Sequence, residues 1–412
     1  MNTFTLLFLC MLGLSLGVEV WLALRQLRHV RAHRERVPAP FADRVTPEEH
    51  RKAADYTVAR TRFGLVGLAA GALLLLGWTL GGGIALLQAQ WQGLLGPGLA
   101  AGVALLLSVL LLGVLLELPL AAWRTFRLEA RFGFNRNTPR QFALDTLKGL
   151  GLALALGVPL AWAALWLMQR AGPGWWLWLW ALWFGFNLLL AWAWPRLIAP
   201  LFNRFTPLTE AALKARVDAL LARTGFDSRG VFVMDGSRRS AHGNAYFTGF
   251  GRAKRIVLFD TLVATLAPAE VEAVLAHELG HFRLHHVAKR LAASALLSLG
   301  GLALLGWLAG QAWFYHGLGV AQPSDAAALL LFALALPPFT TLLHPLGAWL
   351  ARRHEYQADA FAAQHSDRAA LAAALVKLYR DNASTLTPDP LHSAFHDSHP
   401  PAPLRLARLA AA

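Results

Sequence analysis

The chain has 412 residues, of which 56% are hydrophobic and only 15% charged, with 16 Trp, one Cys and a net charge of +14. Soluble domains carry about 25% charged residues, so this composition points to a polytopic membrane protein. A lone Cys10 excludes both a disulfide framework and a Cys-based zinc site. The basic excess gathers in a few loops between apolar runs, as the positive-inside rule expects, and nucleic acid is not an expected partner.

Seven apolar stretches are long enough to span a bilayer: Thr5–Leu24, Leu65–Leu86, Gly98–Leu120, Leu150–Met168, Trp175–Trp194, Leu291–Trp313 and Ala327–Leu350. No basic residue precedes the first run, and a basic cluster follows it from Arg25, which suits a retained first helix with its N-terminus outside. The loops after spans one and three are rich in Arg, from Arg25 to Arg62 and from Arg124 to Lys148, while the opposite connections hold only Arg170. That asymmetry places the segment between spans five and six, and the C-terminus, in the cytoplasm.

The segment 195–290 reads as α+β. Thr209 is placed to cap a helix with apolar residues at Leu213, Val217, Leu220 and Leu221, ending near Gly225. Gly230–Asp235 reads as a strand, and Ala245–Phe250 with Arg255–Asp260 as a β-hairpin. Pro268 opens the next helix, with Glu270 and Glu272 at its positive end. No Gly or Pro interrupts Phe282–Leu299, so this helix is expected to run on into span six.

On that helix lies His277-Glu278-Leu279-Gly280-His281. Two histidines four residues apart share a helix face and can hold one Zn²⁺, and the Glu between them can act as general base on a water. A third ligand is needed. The His-type pattern fails, because Leu284 and Val287 stand at its fixed positions. The best candidate is Glu355 in His354-Glu355-Tyr356-Gln357-Ala358-Asp359, with Asp359 one turn on, placed to accept a hydrogen bond from a ligating imidazole. His285 and His286 continue the motif helix; the reading preferred is a surface position near the lipid headgroups, the alternative that one of them is a ligand or a proton relay. Beyond the last span, Ser398-His399-Pro400-Pro401 and Arg405 follow, and His399 is a candidate donor to a tetrahedral oxyanion. Peptide substrates of such sites add as a strand to a sheet edge, and the hairpin starting at Asn244 is the natural edge.

These residues, taken with Phe132-Gly133-Phe134-Asn135, Ala199-Pro200-Leu201-Phe202-Asn203, Phe205-Thr206-Pro207-Leu208, Ser240-Ala241-His242-Gly243-Asn244-Ala245-Tyr246-Phe247 and Arg255-Ile256-Val257-Leu258-Phe259-Asp260-Thr261-Leu262, resemble the type I CAAX prenyl endopeptidases over nearly the whole chain. The resemblance implies seven membrane helices around a large intramembrane chamber, with one zinc at its cytoplasmic end. It also implies cleavage of prenylated CAAX sequences with release of the last three residues. The metal ligands become His277, His281 and Glu355, and the base Glu278. Asp359 becomes the partner of a ligand, Asn244 a substrate-strand residue, and His399 with Arg405 the transition-state side. Two departures stand out, Ala351 where the family often has Ser, and Ala402-Pro403 after Pro401 in place of a more leucine-rich pair.

The fold class expected is therefore mainly α, with seven transmembrane helices and a small cytoplasmic α+β zinc-protease domain. That domain is inserted between helices five and six and completed by the C-terminal segment. It divides the chain into a five-helix membrane domain (1–199) and a metallopeptidase domain (200–412). Partners are the lipid bilayer and a peptide or protein substrate, prenylated or membrane-anchored. Composition rich in Ala, Leu and Arg points to a bacterial inner membrane. A quality-control protease acting on unprenylated membrane proteins would share the zinc site and differ in substrate. A transporter or channel would place ionisable residues within its spans, and spans two to five hold almost none apart from Glu117.

Overall fold

The computed structural model of the chain describes residues 2–226, 228, 230–248 and 255–411. Five long helices come first: α1 (Thr3–Ala32), α2 (Pro47–Trp78), then after a short α3 (Gly83–Leu95), α4 (Leu99–Trp123), α5 (Pro139–Arg170) and α6 (Trp175–Ala193), which leads into α7 (Ala199–Phe202). The mixed segment follows as β1 (Phe205–Pro207), α8 (Ala211–Thr224), β2 (Val231–Met234), β3 (Ala245–Thr248), β4 (Arg255–Phe259), α9 (Asp260–Thr265) and α10 (Pro268–Arg283). Two more membrane-length runs are α11 (His286–Leu308) and, after α12 (Ala312–Gly317), α13 (Asp325–Thr340), continued by α14 (His344–His365). The chain closes with α15 (Arg368–Asp381), α16 (Pro390–His396) and α17 (Ala402–Ala411). Seven helices among the described residues are long and apolar enough to cross a membrane.

Several boundaries differ from the sequence expectation, each for a local reason. The second span was expected to run to Leu86, but its helix stops at Trp78 and the chain turns through Gly81-Gly82-Gly83. Gly82 has φ +77°, and a Cβ on Gly81 would lie 2.9 Å from the Gly77 Cα, so only glycine fits this tight reversal. The sixth span ends at Leu308 rather than Trp313. The seventh is broken by a tight turn at Thr341–Leu343, just past Pro337 and Pro338, which remove two backbone donors. Thr209 does not cap α8, which starts after Glu210 with no side-chain cap. Most consequential, the motif helix does not run on into span six: it ends at Arg283, and His285 takes a left-handed conformation (φ 57°) before α11 begins. Histidine tolerates that region better than most residues, so no Gly or Pro was needed to mark the break.

Two cores result. Phe8, Ile84, Leu105, Leu165 and Phe314 are buried where the membrane helices meet. Leu213, Val217, Leu220, Ile256, Leu258, Val271, Leu275 and Leu279 pack α8, the sheet and α10 together, with Leu371 and Ala374 of α15. The apolar stripe of α8 thus faces the core as its spacing requires. The sheet runs β1-β2-β4-β3, with β2 and β4 parallel and β3 antiparallel to β4. The expected pairing of 245–248 with 255–259 is present, with Ala245 opposite Leu258 and Thr248 opposite Arg255. Residues 249–254, which include the expected hairpin connection, lie outside the described residues. Among the described residues β3 is an edge strand, and Asn244, the residue before it, lines the cavity at the site.

Candidate active site

Helix α10 starts with Pro268 in its first turn and a Glu270 carboxylate that accepts from the Ala267 N–H at 2.7 Å. Three turns on, His277 and His281 project from one face toward α14, where Glu355 meets them. His277 Nε2 lies 3.4 Å from Glu355 Oε2, and His281 Nε2 lies 3.3 Å from Glu355 Oε1. All three side chains are buried, and one donor atom from each fits within a 4.8 Å span. Glu355 Oε2 has no hydrogen-bond donor among the described residues. A buried carboxylate oxygen without a donor is costly, and two imidazole nitrogens with one carboxylate oxygen are the donor set a divalent metal takes at a hydrolytic centre. The residues present fit such an ion.

What lets α10 and α14 approach so closely is Gly280. A Cβ there would meet the Ala358 Cα at 3.0 Å and the Phe361 Cβ at 3.1 Å. Gly280→Val is expected to cost about 1–3 kcal/mol through overpacking and to lower metal occupancy by spreading the helices. Thermal unfolding in detergent and metal analysis check both; a variant of native stability and full occupancy would show that the contact is not limiting.

The surroundings of the triad orient it. Asp359 Oδ1 lies 2.8 Å from His277 Nδ1, on the side away from Glu355. Arg405 of α17 donates its Nε to Asp359 Oδ2 at 2.8 Å and its Nη2 to Asp359 Oδ1, and both side chains are buried. Arg405 therefore stands behind His277, with its guanidinium committed to Asp359. Burial pushes the His277 imidazole down, but hydrogen bonds to Asp359 and Glu355 outweigh it and lift it to about 9. A cation binding there displaces that proton, so its affinity weakens as pH drops. Burial raises the Glu278 carboxyl above its ordinary value, against the lowering influence of His277 and His281.

His399 comes from the C-terminal segment. Its Nε2 lies 3.5 Å from Glu355 Oε2 while its side chain stays 62% open to the cavity. The turn that carries it is pinned twice: Arg352 Nη1 donates to the Asp397 carbonyl at 2.8 Å, and the Tyr379 hydroxyl to the Pro400 carbonyl at 3.2 Å. Asn244 lines the same cavity, of about 750 Å³, opposite His277 and Glu278. Its wall also includes Gln26, Thr57 and Arg60 from the membrane helices, so one space joins His277 and Glu278 to the bundle.

The sequence reading missed two features here. His286 is not at a surface: it is fully buried, with Nδ1 3.0 Å from His281 Nδ1. The helix break at His285, which has no sequence punctuation, is what turns it inward. His285 itself is exposed, as expected. Arg352 and Tyr379, which hold the His399 turn, carry no motif that would have singled them out.

Comparison with known proteins agrees over both halves of the chain. Residues 26–204 match the family described as CAAX prenyl protease N-terminal, five membrane helices, and residues 207–412 match peptidase family M48. A CAAX prenyl protease 1 homolog of Oryza sativa is 37% identical over 74% of this chain and 72% of its own length. The human CAAX prenyl protease 1 homolog is 31% identical over 95% of this chain and 92% of its own. The crystal structure of S. mikatae Ste24p superposes with a TM-score of 0.92 at 30% identity, covering 99% of each chain. Seven membrane-length helices among the described residues, a buried His-His-Glu cluster of which His277 lines the cavity, and these matches lead to one conclusion: the chain is a membrane metalloendopeptidase of the M48 family with the five-helix N-terminal region of the CAAX prenyl proteases.

Proposed function

We propose that the chain is a zinc endopeptidase that cleaves prenylated, CAAX-type C-terminal sequences, with His277, His281 and Glu355 as metal ligands and Glu278 as general base. The observation that carries this reading is the convergence of the three buried donor atoms, next to a cavity lined by His277, Glu278, His399 and residues of the membrane helices. When bound, zinc supplies a Lewis acid that acidifies water and polarises the scissile carbonyl. Glu278 takes the proton of the attacking water and delivers it to the leaving amine. His399, facing the cavity beside Glu355, donates to the oxygen that gains charge. Asn244 and the free edge of β3 receive the substrate backbone as an added strand. Asp359 holds the His277 ring in the tautomer with Nδ1–H, and Arg405 fixes Asp359.

Sidedness follows from charge. Arg25 at the end of α1 bonds Asp389 Oδ2 at 3.0 Å, so the basic end of the first span lies beside the segment that carries His399. By the positive-inside rule this is the cytoplasmic end. We assign the protein to a bacterial inner membrane on its Ala-, Leu- and Arg-rich composition. A division into a membrane domain (1–199) and a metallopeptidase domain (200–412) is supported by where β1 begins.

Two measurements test the proposal. A farnesylated CAAX peptide is expected to be cleaved faster than its unprenylated twin by purified protein. Equal rates would turn the reading to a quality-control protease with the same chemistry. Glu355→Ala is expected to lose stoichiometric zinc, and full occupancy in that variant would mean that another residue completes the site.

A further inference from the structure

We infer that His286 is a positioning residue for His281: it fixes the tautomer of that ligand through a buried hydrogen-bond relay ending at Gln357. The inference rests on the ligand assignment proposed above and adds a residue outside the motif.

The relay is defined by three contacts. His281 Nδ1 lies 3.0 Å from His286 Nδ1. His286 Nε2 lies 2.9 Å from Gln357 Oε1. The His286 ring stacks on His354 with centroids 4.1 Å apart and planes 11° from parallel, which fixes its orientation. The His286 ring is fully buried, so in the folded protein its nitrogens meet these side chains rather than bulk water.

Proton counting then leaves one arrangement compatible with metal binding. Two ring nitrogens at 3.0 Å attract only if one carries a hydrogen and the other a lone pair. The Gln357 oxygen can only accept, so the hydrogen of neutral His286 sits on Nε2. His286 Nδ1 then accepts, and the hydrogen of His281 must sit on Nδ1. That leaves the His281 Nε2 lone pair facing Glu355, where a metal needs it. If the Gln357 amide were turned over, every donor along the relay would reverse and His281 Nε2 would carry a hydrogen.

The break between α10 and α11 is what makes the contact possible. In an unbroken helix, residue 286 would point about 140° around the axis from residue 281, at 3.6 residues per turn. The left-handed His285 ends α10 and folds the first residue of α11 back beneath the motif. The two imidazole ligands are thereby oriented differently: His277 by an anion, Asp359, and His281 by a neutral relay. Outer partners of this kind set the ligand's orientation and basicity.

The test uses the full-length protein in detergent, with Co²⁺ and Zn²⁺ affinity measured by chelator competition and the Co²⁺ visible spectrum as a second readout. His286→Phe keeps a ring against His354 but removes both nitrogens, and is expected to weaken metal affinity about 10–100-fold and to shift the spectrum. His286→Asn returns an acceptor oxygen near the place of Nδ1 and is expected to recover most of that loss. Wild-type affinity and spectrum in His286→Phe would overturn the relay while leaving the ligand assignment intact. A wild-type chain that binds no metal would overturn the assignment, and the relay with it. Should His286→Phe not fold, Gln357→Leu, at an exposed position, decides the matter: weakened affinity supports the relay, and unchanged affinity overturns it.

Discussion

Glu278→Gln is expected to reduce peptide cleavage about 10²–10⁴-fold, the range that loss of a positioned general base produces, while leaving metal content unchanged. The glutamine is nearly isosteric and touches none of the ligand contacts, which run from His277 and His281 to Glu355, Asp359 and His286. The amide cannot take a proton from water, so the loss falls on kcat more than on KM. The same carboxyl contributes to the acid side of the pH profile, together with the proton that competes with the cation at His277. Burial raises the Glu278 carboxyl, so the form that accepts a proton is lost at a higher pH than for an exposed glutamate. In wild type, kcat/KM is therefore expected to fall as pH drops through that raised value. Steady-state kinetics on a fluorogenic peptide, with metal analysis of the same preparation, checks both parts. Normal cleavage by the variant would remove Glu278 from the mechanism.

The chemistry of the site was legible because the motif encodes geometry. Four-residue spacing puts His277 and His281 on one helix face whatever the rest of the chain does, and the same rule aligned Glu355 with Asp359. Their meeting across α10 and α14 is not encoded by spacing; it depends on Gly280, where a Cβ would crowd Ala358 and Phe361 at 3.0 and 3.1 Å. Long apolar runs also announce themselves, and all seven spans were found, though not their ends. The failures fall at helix ends. Where a helix stops is decided by backbone conformations that a sequence pattern marks only when Gly or Pro is present. The Gly81–Gly83 reversal carried that mark and was read through; the His285 break carried none. The second failure hid the most informative residue, because a continuous helix sends His286 toward solvent or lipid, whereas the broken one buries it against His281.

Arg405 links the last helix to the metal triad, and its substitution is expected to separate folding from metal binding. Asp359 and Arg405 form a buried, doubly hydrogen-bonded pair, each about 5% exposed. Removing one partner strands a charge in the interior. Asp359→Ala or Arg405→Ala is thus expected to destabilise the protein by about 3–5 kcal/mol, whereas replacing both by apolar residues of similar volume is close to neutral. Asp359→Leu with Arg405→Met should therefore recover most of the stability lost by either single truncation. Metal affinity should not follow it. His277 Nδ1 keeps no acceptor in the double variant, since Asp359 Oδ1 is the carboxylate oxygen within bonding distance of it, and a lost orienting partner weakens metal affinity about 10–100-fold. Asp359→Asn sits between these cases, because it retains an acceptor for His277 but not the charge that balances Arg405. Thermal unfolding in detergent and chelator competition across the four variants resolve the two contributions. If the double variant regains both stability and metal affinity, the pair serves only to anchor α17, and the orientation of His277 must come from the helix packing itself.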